Sequence, residues 1–400
     1  MLLSLLSDRE VWEKFYQYKT SLFGSGRFAK QLRQFIDEER YLPVCGKIYA
    51  GALFPLPKKS VISKMGSEKK RVVYTYPEDE NTVLKLLTYL ILRKYDGLFS
   101  PGLYSFRPNR TAKDAVRRLL KIKSVPEKYC YKADIHDYFN SVSVDLLLPE
   151  LKAAICDDEP LYDFLSSLLT EPRVLDRGKI VIEKKGIMAG TPLSSFYANL
   201  YLSALDRHFA DGGVIYARYS DDIILFDDTA EKTEAHADYI KDYIAARGLT
   251  INPSKEAFFA PGEPYTFLGF VCAGDEVDIA PATVRKLKNK MRRKRDALTR
   301  WSKRNEIQPE KAAKAFIRVF NKKLLESPTD NELSWSGWFF PVINTTKSLR
   351  EIDLYSQDCL RYIISGKHTK ARYNVRYEDL KALGYKSLVN AYHKPKSKDG

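Results

Sequence analysis

The stretch VIYARYSDDIILF, residues 214–226, decides how this chain is read. Apolar and aromatic residues flank a short polar centre, a pattern that predicts a buried strand, a tight turn and a second buried strand. The turn carries two adjacent aspartates, Asp221 and Asp222. Neighbouring carboxylates repel each other, and at the end of a buried hairpin they are unfavourable unless solvated or holding a cation. Their hard oxygens suit Mg²⁺. Taken alone the tetrapeptide YSDD is a weak signal and reads first as a polar hairpin turn. Its weight comes from its surroundings.

Upstream, KADIHDYFNSV (residues 132–142) puts Asp134 at the end of an alternating strand over 130–135. Next, GIMAGTPLSSFYANLYL (residues 186–202) reads as a Gly/Pro turn leading into an amphipathic helix. Downstream of the hairpin, residues 231–247 read as a helix with Tyr239, Ile240, Tyr243 and Ile244 inward, closed by Gly248 at its C′ position. The order strand–helix–strand–strand–helix–strand fits a split βαβ, ferredoxin-like arrangement. Asp134 on a strand beside the hairpin would then complete a pair of metal sites about 3.5–4 Å apart, an arrangement suited to in-line phosphoryl transfer.

The remainder of the chain is consistent with a globular, strongly basic protein. Of 400 residues, 44% are hydrophobic and 29% charged, which argues against wholesale disorder. With 66 Lys+Arg against 51 Asp+Glu the formal charge is +15, which draws polyanions, nucleic acid foremost. Cys45, Cys130, Cys156, Cys272 and Cys359 form no C-x-x-C pair, so neither a disulfide framework nor a zinc site is expected, and a reducing cytoplasm is. The opening MLLSLLSDRE is too briefly apolar for a secretory signal, and no run approaches the ~20 apolar residues of a membrane span.

Residues 1–60 read as mainly helical, with Trp12, Phe15, Tyr16, Phe28, Leu32 and Phe35 at helical spacing. A basic segment follows (Lys58, Lys59, Lys64, Lys69, Lys70, Arg71), with Gly66 and Ser67 suited to a hairpin tip, and residues 81–94 and 111–122 read as helices. After Pro281 comes a basic helical tail. There Leu287, Met291 and Leu298 keep heptad-like spacing, while Lys288, Lys290, Arg292, Arg293, Lys294 and Arg295 stand between them. Such a helix packs one face inward and shows cations that can follow a duplex backbone.

These three segments resemble motifs A, B and C of reverse transcriptases, especially bacterial group II intron-like enzymes. The resemblance extends to KKRVVYTYPEDENTVLKLLTYLI (69–91) and YSFRPNRTAKDAVRRL (104–119) before motif A, to INPSKEAF (251–258) as motif D and to YTFLGF (265–270) as the primer grip. It covers roughly residues 57–270, and EIDLYSQDCLRYIISGKHTKARYNVRYEDLKALGYKSL (351–388) is similar to the helical thumb of intron-type enzymes. The implied fold is α+β, a right-hand polymerase with fingers, ferredoxin-like palm and helical thumb. Its implied divisions are an N-terminal helical extension (1–56), fingers (57–128), palm with interleaved helical segments (129–275) and basic thumb (276–400).

The resemblance also implies roles. Asp134, Asp221 and Asp222, with the carbonyl of Ile135, would hold two Mg²⁺ ions, Mn²⁺ being the alternative. Phe139 matches the steric gate that excludes a ribose 2′-hydroxyl; core packing is its plain alternative, one that Tyr138 is placed to take instead. Gly190 and Pro192 would shape the nucleotide pocket. Lys255 matches the motif D lysine, and Lys59, Lys70 and Arg71 are candidates to clamp the dNTP triphosphate. For nucleic acid the implied contacts are Arg107, Arg110, Phe267, Leu268, Gly269, Lys288, Arg292, Arg293 and Arg295. Two departures alter the nucleotide pocket while leaving the metal site whole: Ala189 stands where the family usually has glutamine, and Ser194-Ser195 where it has Ser-Pro.

No nuclease signature or separate DNA-binding domain follows the thumb segment, and the NAxxH and VTG signatures of retron enzymes are missing. The pattern looks most like stand-alone defence-associated reverse transcriptases. These copy a noncoding RNA encoded nearby, so the expected partners are that RNA, a DNA primer and product, and dNTPs, with no membrane. Competing readings are a mobile retroelement enzyme, an RNA-dependent RNA polymerase, which Phe139 disfavours, and a non-catalytic RNA-binding scaffold.

Overall fold

The computed structural model describes residues 1–23, 26–63, 70–326 and 334–394, leaving aside the side chains of residues 22, 23, 63 and 70. The chain divides into two compact units, Met1–Glu263 and Pro264–Gly400. In the first, helices Arg9–Phe23, Arg27–Asp37 and Tyr41–Tyr49 gather round a rigid aromatic knot. Trp12 stacks on Tyr41 with ring centroids 5.1 Å apart and donates its indole N–H to the Leu6 carbonyl at 2.8 Å. Burying a tryptophan requires such a partner for its polar atom. The long helix Glu78–Lys94 packs against the first and third of these helices, burying Val83, Leu84, Leu87 and Ile91.

Strands β1 (Lys58–Ser63) and β2 (Lys70–Thr75) form an antiparallel hairpin in the basic segment. Its expected tip at Gly66 and Ser67, together with Lys64 and Lys69, lies outside the described residues. Strand β3 (Tyr129–Asp134) comes next, followed by the short strands β4 (Arg173–Asp176) and β5 (Lys179–Ile182), which extend the first hairpin in the order β2-β1-β4-β5.

The decisive sheet combines β3 with β6 (Ile215–Tyr219), β7 (Asp222–Asp227) and β8 (Ala257–Phe259), in the order β6-β7-β3-β8 with every neighbour antiparallel. In chain order these strands are first (β3), second (β6), third (β7) and fourth (β8), so the spatial order is the reverse of 4-1-3-2, the ferredoxin-like topology expected from the sequence. The helix Ala230–Ala246 covers β3 and β7 and ends before Gly248, whose φ of +71° suits a left-handed C′ position. Its buried stripe is Thr233, Ala237, Ile240 and Ile244. Tyr239 departs from the expected inward set: it lies one position off that stripe and stacks on His208 at 3.9 Å instead, while Tyr243 is half-buried.

The helix after the Gly/Pro turn, Ser194–Tyr201, is buried on nearly every face rather than amphipathic. Its polar residue Asn199 is accommodated because it donates to the Ser105 carbonyl at 2.8 Å and accepts from the Ser105 hydroxyl at 3.0 Å.

The second unit opens with the meander β9 (Tyr265–Phe267), β10 (Phe270–Ala273) and β11 (Glu276–Ile279). Residues 265–275 therefore pack with the tail, whereas the sequence reading groups them with the preceding sheet. Helices Pro281–Arg304, Pro309–Leu325 and Lys347–Ser365 form its bundle, burying Leu287 and Met291 with Phe316, Phe320, Leu349 and Ile352. Buried Asp353 accepts from the Tyr385 and Ser387 hydroxyls and the amides of Leu388 and Val389, at 2.6–3.1 Å. No helix among the described residues is long and apolar enough to cross a membrane.

Candidate active site

Antiparallel register sets the site. Asp134, last residue of β3, stands directly opposite Asp222, first residue of β7. The Ile135 amide donates to the Asp221 carbonyl at 3.0 Å, so the turn is tied to the end of β3. Ser220, between the strands, takes φ +60°, and this left-handed residue lets the hairpin reverse within its short turn. Asp134, Asp221 and Asp222 consequently each bring one carboxylate oxygen within 4.8 Å of the others'.

Desolvation sets the electrostatics. Burial, then repulsion from Asp134, raises the Asp221 carboxyl above its ordinary range. Burial, then repulsion from Asp221, pushes Asp222 up to about 6, against the pull of Lys132 and Lys255. Three converging hard-oxygen donors, with Asp221 and Asp222 held above their ordinary range, fit a divalent cation, which would relieve the repulsion at the turn. Lys255 donates from Nζ to Asp134 Oδ2 at 2.5 Å, while Asn252 approaches Asp134 Oδ1 from Nδ2 at 3.4 Å and donates its backbone amide to the Asp134 carbonyl at 2.8 Å. Ile135 itself is buried.

Tyr138 and Phe139 divide the alternatives left open for them. Tyr138 is 2% exposed and its hydroxyl donates to the Ala198 carbonyl at 2.5 Å, so it is the core residue of the pair. Phe139 is only half-buried and meets Phe106 edge-on at 6.3 Å. Its carbonyl accepts from Ile187 N–H at 3.0 Å, and Gly186 (φ +52°) must lack a side chain because a Cβ would stand 2.4 Å from that oxygen. Gly190 (φ +99°) lies against β2, where Tyr74 donates its amide to the Ala189 carbonyl at 2.8 Å. Both serines of the unusual Ser194-Ser195 pair bond back to the turn, at the Thr191 and Pro192 carbonyls.

Several cations expected to meet nucleotide or nucleic acid have protein partners. Lys59 lies across both Glu183 oxygens at 2.7 Å, because β1 puts it opposite Tyr74, whose hydroxyl joins the same carboxylate. Arg107, its side chain 5% exposed, forks onto Asp96 and the Ser100 carbonyl and fastens its own loop. That placement corrects its assignment to nucleic acid. Arg110 donates to the Pro101 carbonyl at 2.7 Å. Arg71 is exposed on β2 and its charge favours ionised Asp221, whereas the side chain of Lys70 is outside the described set.

In the second unit Phe267 is buried, so it cannot present its ring to a nucleic acid, while Leu268 (φ +49°) and Gly269 (φ +88°) form the turn between β9 and β10. Lys288 pairs with Glu351, and Arg295 pairs with Asp296 over the Tyr362 ring. Arg292 and Arg293 are exposed.

One positioning residue escaped the sequence reading. Arg218, on β6, is fully buried with Asp206, donating at 2.7 Å and 2.5 Å to its two oxygens and at 3.1 Å to the Ser220 carbonyl. Its guanidinium thus braces the left-handed turn that presents the aspartates. The available signal was a lone arginine in the middle of an otherwise apolar strand, which demands a buried partner.

A ferredoxin-like sheet with three converging carboxylates, two on a hairpin turn and one on the adjoining strand, is the palm of a right-hand nucleic-acid polymerase. A family model described as reverse transcriptase (RNA-dependent DNA polymerase) matches residues 56–272. The chain belongs to that family. It is 26% identical to the retron Ec86 reverse transcriptase of Escherichia coli over 162 residues, 40% of this chain and 47% of that relative. The match thus spans about half the relative's length. Solved structures that align with it include apo telomerase from Candida tropicalis (TM-score 0.47, 12% identity, 82% of this chain and 69% of that one). Another is telomerase from Candida albicans in complex with a TWJ fragment of telomeric RNA (TM-score 0.44, 12% identity, 89% and 71%).

Proposed function

We propose that this chain is an RNA-directed DNA polymerase that copies a noncoding RNA into cDNA by two-metal nucleotidyl transfer, in bacterial antiviral defence. The observation that carries the catalytic part is the convergence of Asp134, Asp221 and Asp222 within 4.8 Å on a palm sheet. Two Mg²⁺ ions held there would supply Lewis acidity to the primer 3′-hydroxyl and to the departing phosphate oxygen. The residues' own parts in this reading are as follows. Phe139, half-buried, would lie beneath the sugar and exclude a 2′-hydroxyl. Arg71 would draw the triphosphate toward the carboxylates. Lys255 would leave Asp134 and give a proton to pyrophosphate as the bond from the α-phosphorus to its bridging oxygen breaks and the primer oxygen bonds to that phosphorus. Arg292 and Arg293 would meet the backbone of the template–primer duplex.

Changing both Asp221 and Asp222 to Ala tests this reading: primer extension should vanish while RNA binding persists. Full biological activity in that double variant would instead identify a non-catalytic scaffold. Similarity to a retron enzyme favours a second reading, reverse transcription within a retron-like element. Sequencing the RNA and DNA that co-purify from the native host separates the two, because it reports template, product and priming end together.

A further inference from the structure

Phe106 has a backbone that a bulky side chain rarely adopts: its φ is +56°, and it is the one aromatic with a positive φ among the described residues. Its ring is also exposed, at 38%, so core burial does not account for that conformation. The loop around it enforces the conformation from both sides. Before it, the Gly102 carbonyl accepts from Arg218 N–H at 2.9 Å and the Tyr104 amide donates to the Arg218 carbonyl at 3.0 Å, which lays the loop along β6. Ser105 exchanges two hydrogen bonds with buried Asn199, its hydroxyl donating at 3.0 Å and its carbonyl accepting at 2.8 Å. After it, Arg107 forks onto Asp96. Strain over-determined in this way gathers at functional sites, and what it positions here is a ring.

That ring has two aromatic neighbours. It meets Phe139 edge-on with centroids 6.3 Å apart, and it lies 6.4 Å from Tyr219, the residue that leads into the turn carrying Asp221 and Asp222. Phe139 needs such a neighbour. The Ile187 amide fixes its backbone, and Tyr138, locked onto the Ala198 carbonyl, meets its ring edge-on at 5.7 Å. Even so, Phe139 is only half-buried. A ring rejects one extra hydroxyl only if it cannot swing aside to another rotamer, and a second edge-to-face contact resists that motion. We propose that Phe106 is a positioning residue for sugar selection: its ring braces Phe139 against Tyr219 and so makes the gate rigid. The inference rests on the polymerase reading of the carboxylate site and adds to it a residue from outside the three segments that build that site.

Single-nucleotide incorporation of a matched dNTP and rNTP by the full chain, read as the ratio of their kcat/KM values, tests it alongside thermal melts. Phe106→Ala and Phe106→Gly both remove the ring, but glycine accepts the left-handed backbone and alanine does not, so the glycine variant should melt above the alanine one. Both should lower the preference for dNTPs by the same factor, about three- to tenfold, the range of one aromatic edge contact. Phe106→Tyr keeps the ring and should keep the selectivity. In a Phe139→Ala background, losing Phe106 as well should change selectivity by less than about twofold, because the brace has nothing left to hold. Full selectivity in both ringless variants overturns the proposal, and so does an additive loss in the double variant. Selectivity that follows the melting temperature, lost with alanine and kept with glycine, also overturns it, since the loop and not the ring would then be responsible. If the wild-type chain extends no primer, the polymerase reading falls and takes this inference with it; if it extends and the variants select as it does, this inference alone falls.

Discussion

Asp222→Asn should make the metal-free protein more stable while destroying its response to magnesium. The Asp222 carboxyl titrates near 3.8 in an unfolded chain and near 6 in the folded one, chiefly through burial and then through Asp221. Between those values the folded state binds more protons than the unfolded state, so wild-type stability falls as pH rises, and the loss is complete above the folded value. The difference corresponds to about 3 kcal/mol, and residual solvent contact at the turn reduces it to about 1–2 kcal/mol. Asparagine keeps the shape and removes the charge. In EDTA at about pH 8 the variant should melt roughly 2–8 °C above wild type, whereas at about pH 4 the two should coincide. Added Mg²⁺ should then raise the wild-type midpoint and leave the variant nearly unmoved, because a ligand stabilises only the state that binds it. Thermal melts at the two pH values, with and without Mg²⁺, measure all of this. No gain near neutral pH, or an equal gain in acid, would refute the claim that the carboxylates are held together against their own repulsion.

Phe139→Ala should lower the preference for dNTPs over rNTPs by at least about tenfold, roughly 1.4 kcal/mol, in single-nucleotide incorporation assays, and unchanged selectivity removes its gate role. By contrast, Tyr138→Phe should cost about 1 kcal/mol of stability, read by denaturant unfolding, with selectivity intact. Arg218→Met should destabilise by about 3–5 kcal/mol through the unpaired Asp206 it leaves, and adding Asp206→Leu should recover most of that loss in a double-mutant cycle. Gly190→Ala should lose most primer extension, because φ +99° and a Cβ contact of 3.1 Å with the Tyr74 carbonyl force the turn to move.

Residues whose neighbours lie close in sequence, or whose pattern repeats, could be read before any coordinates. The palm was legible because its hairpin strands are short apolar runs, its helix keeps a 3.6-residue stripe and the hairpin around Asp221 and Asp222 is local. Asp134 was legible through its place at a strand end, and register then puts it opposite Asp222. Cations were not legible in the same way. A lysine in a basic run looks free until Glu183, 124 residues away, reaches Lys59. Arg107 likewise looks like a phosphate ligand until Asp96 takes its fork. Charge is a property of one residue, whereas availability belongs to a pair, and the pair is made by the fold. Arg218 is the converse case. Its charge within an apolar strand signals a buried partner, yet only the packing of Asp206 beneath the hairpin shows that the pair braces the turn carrying the catalytic candidates.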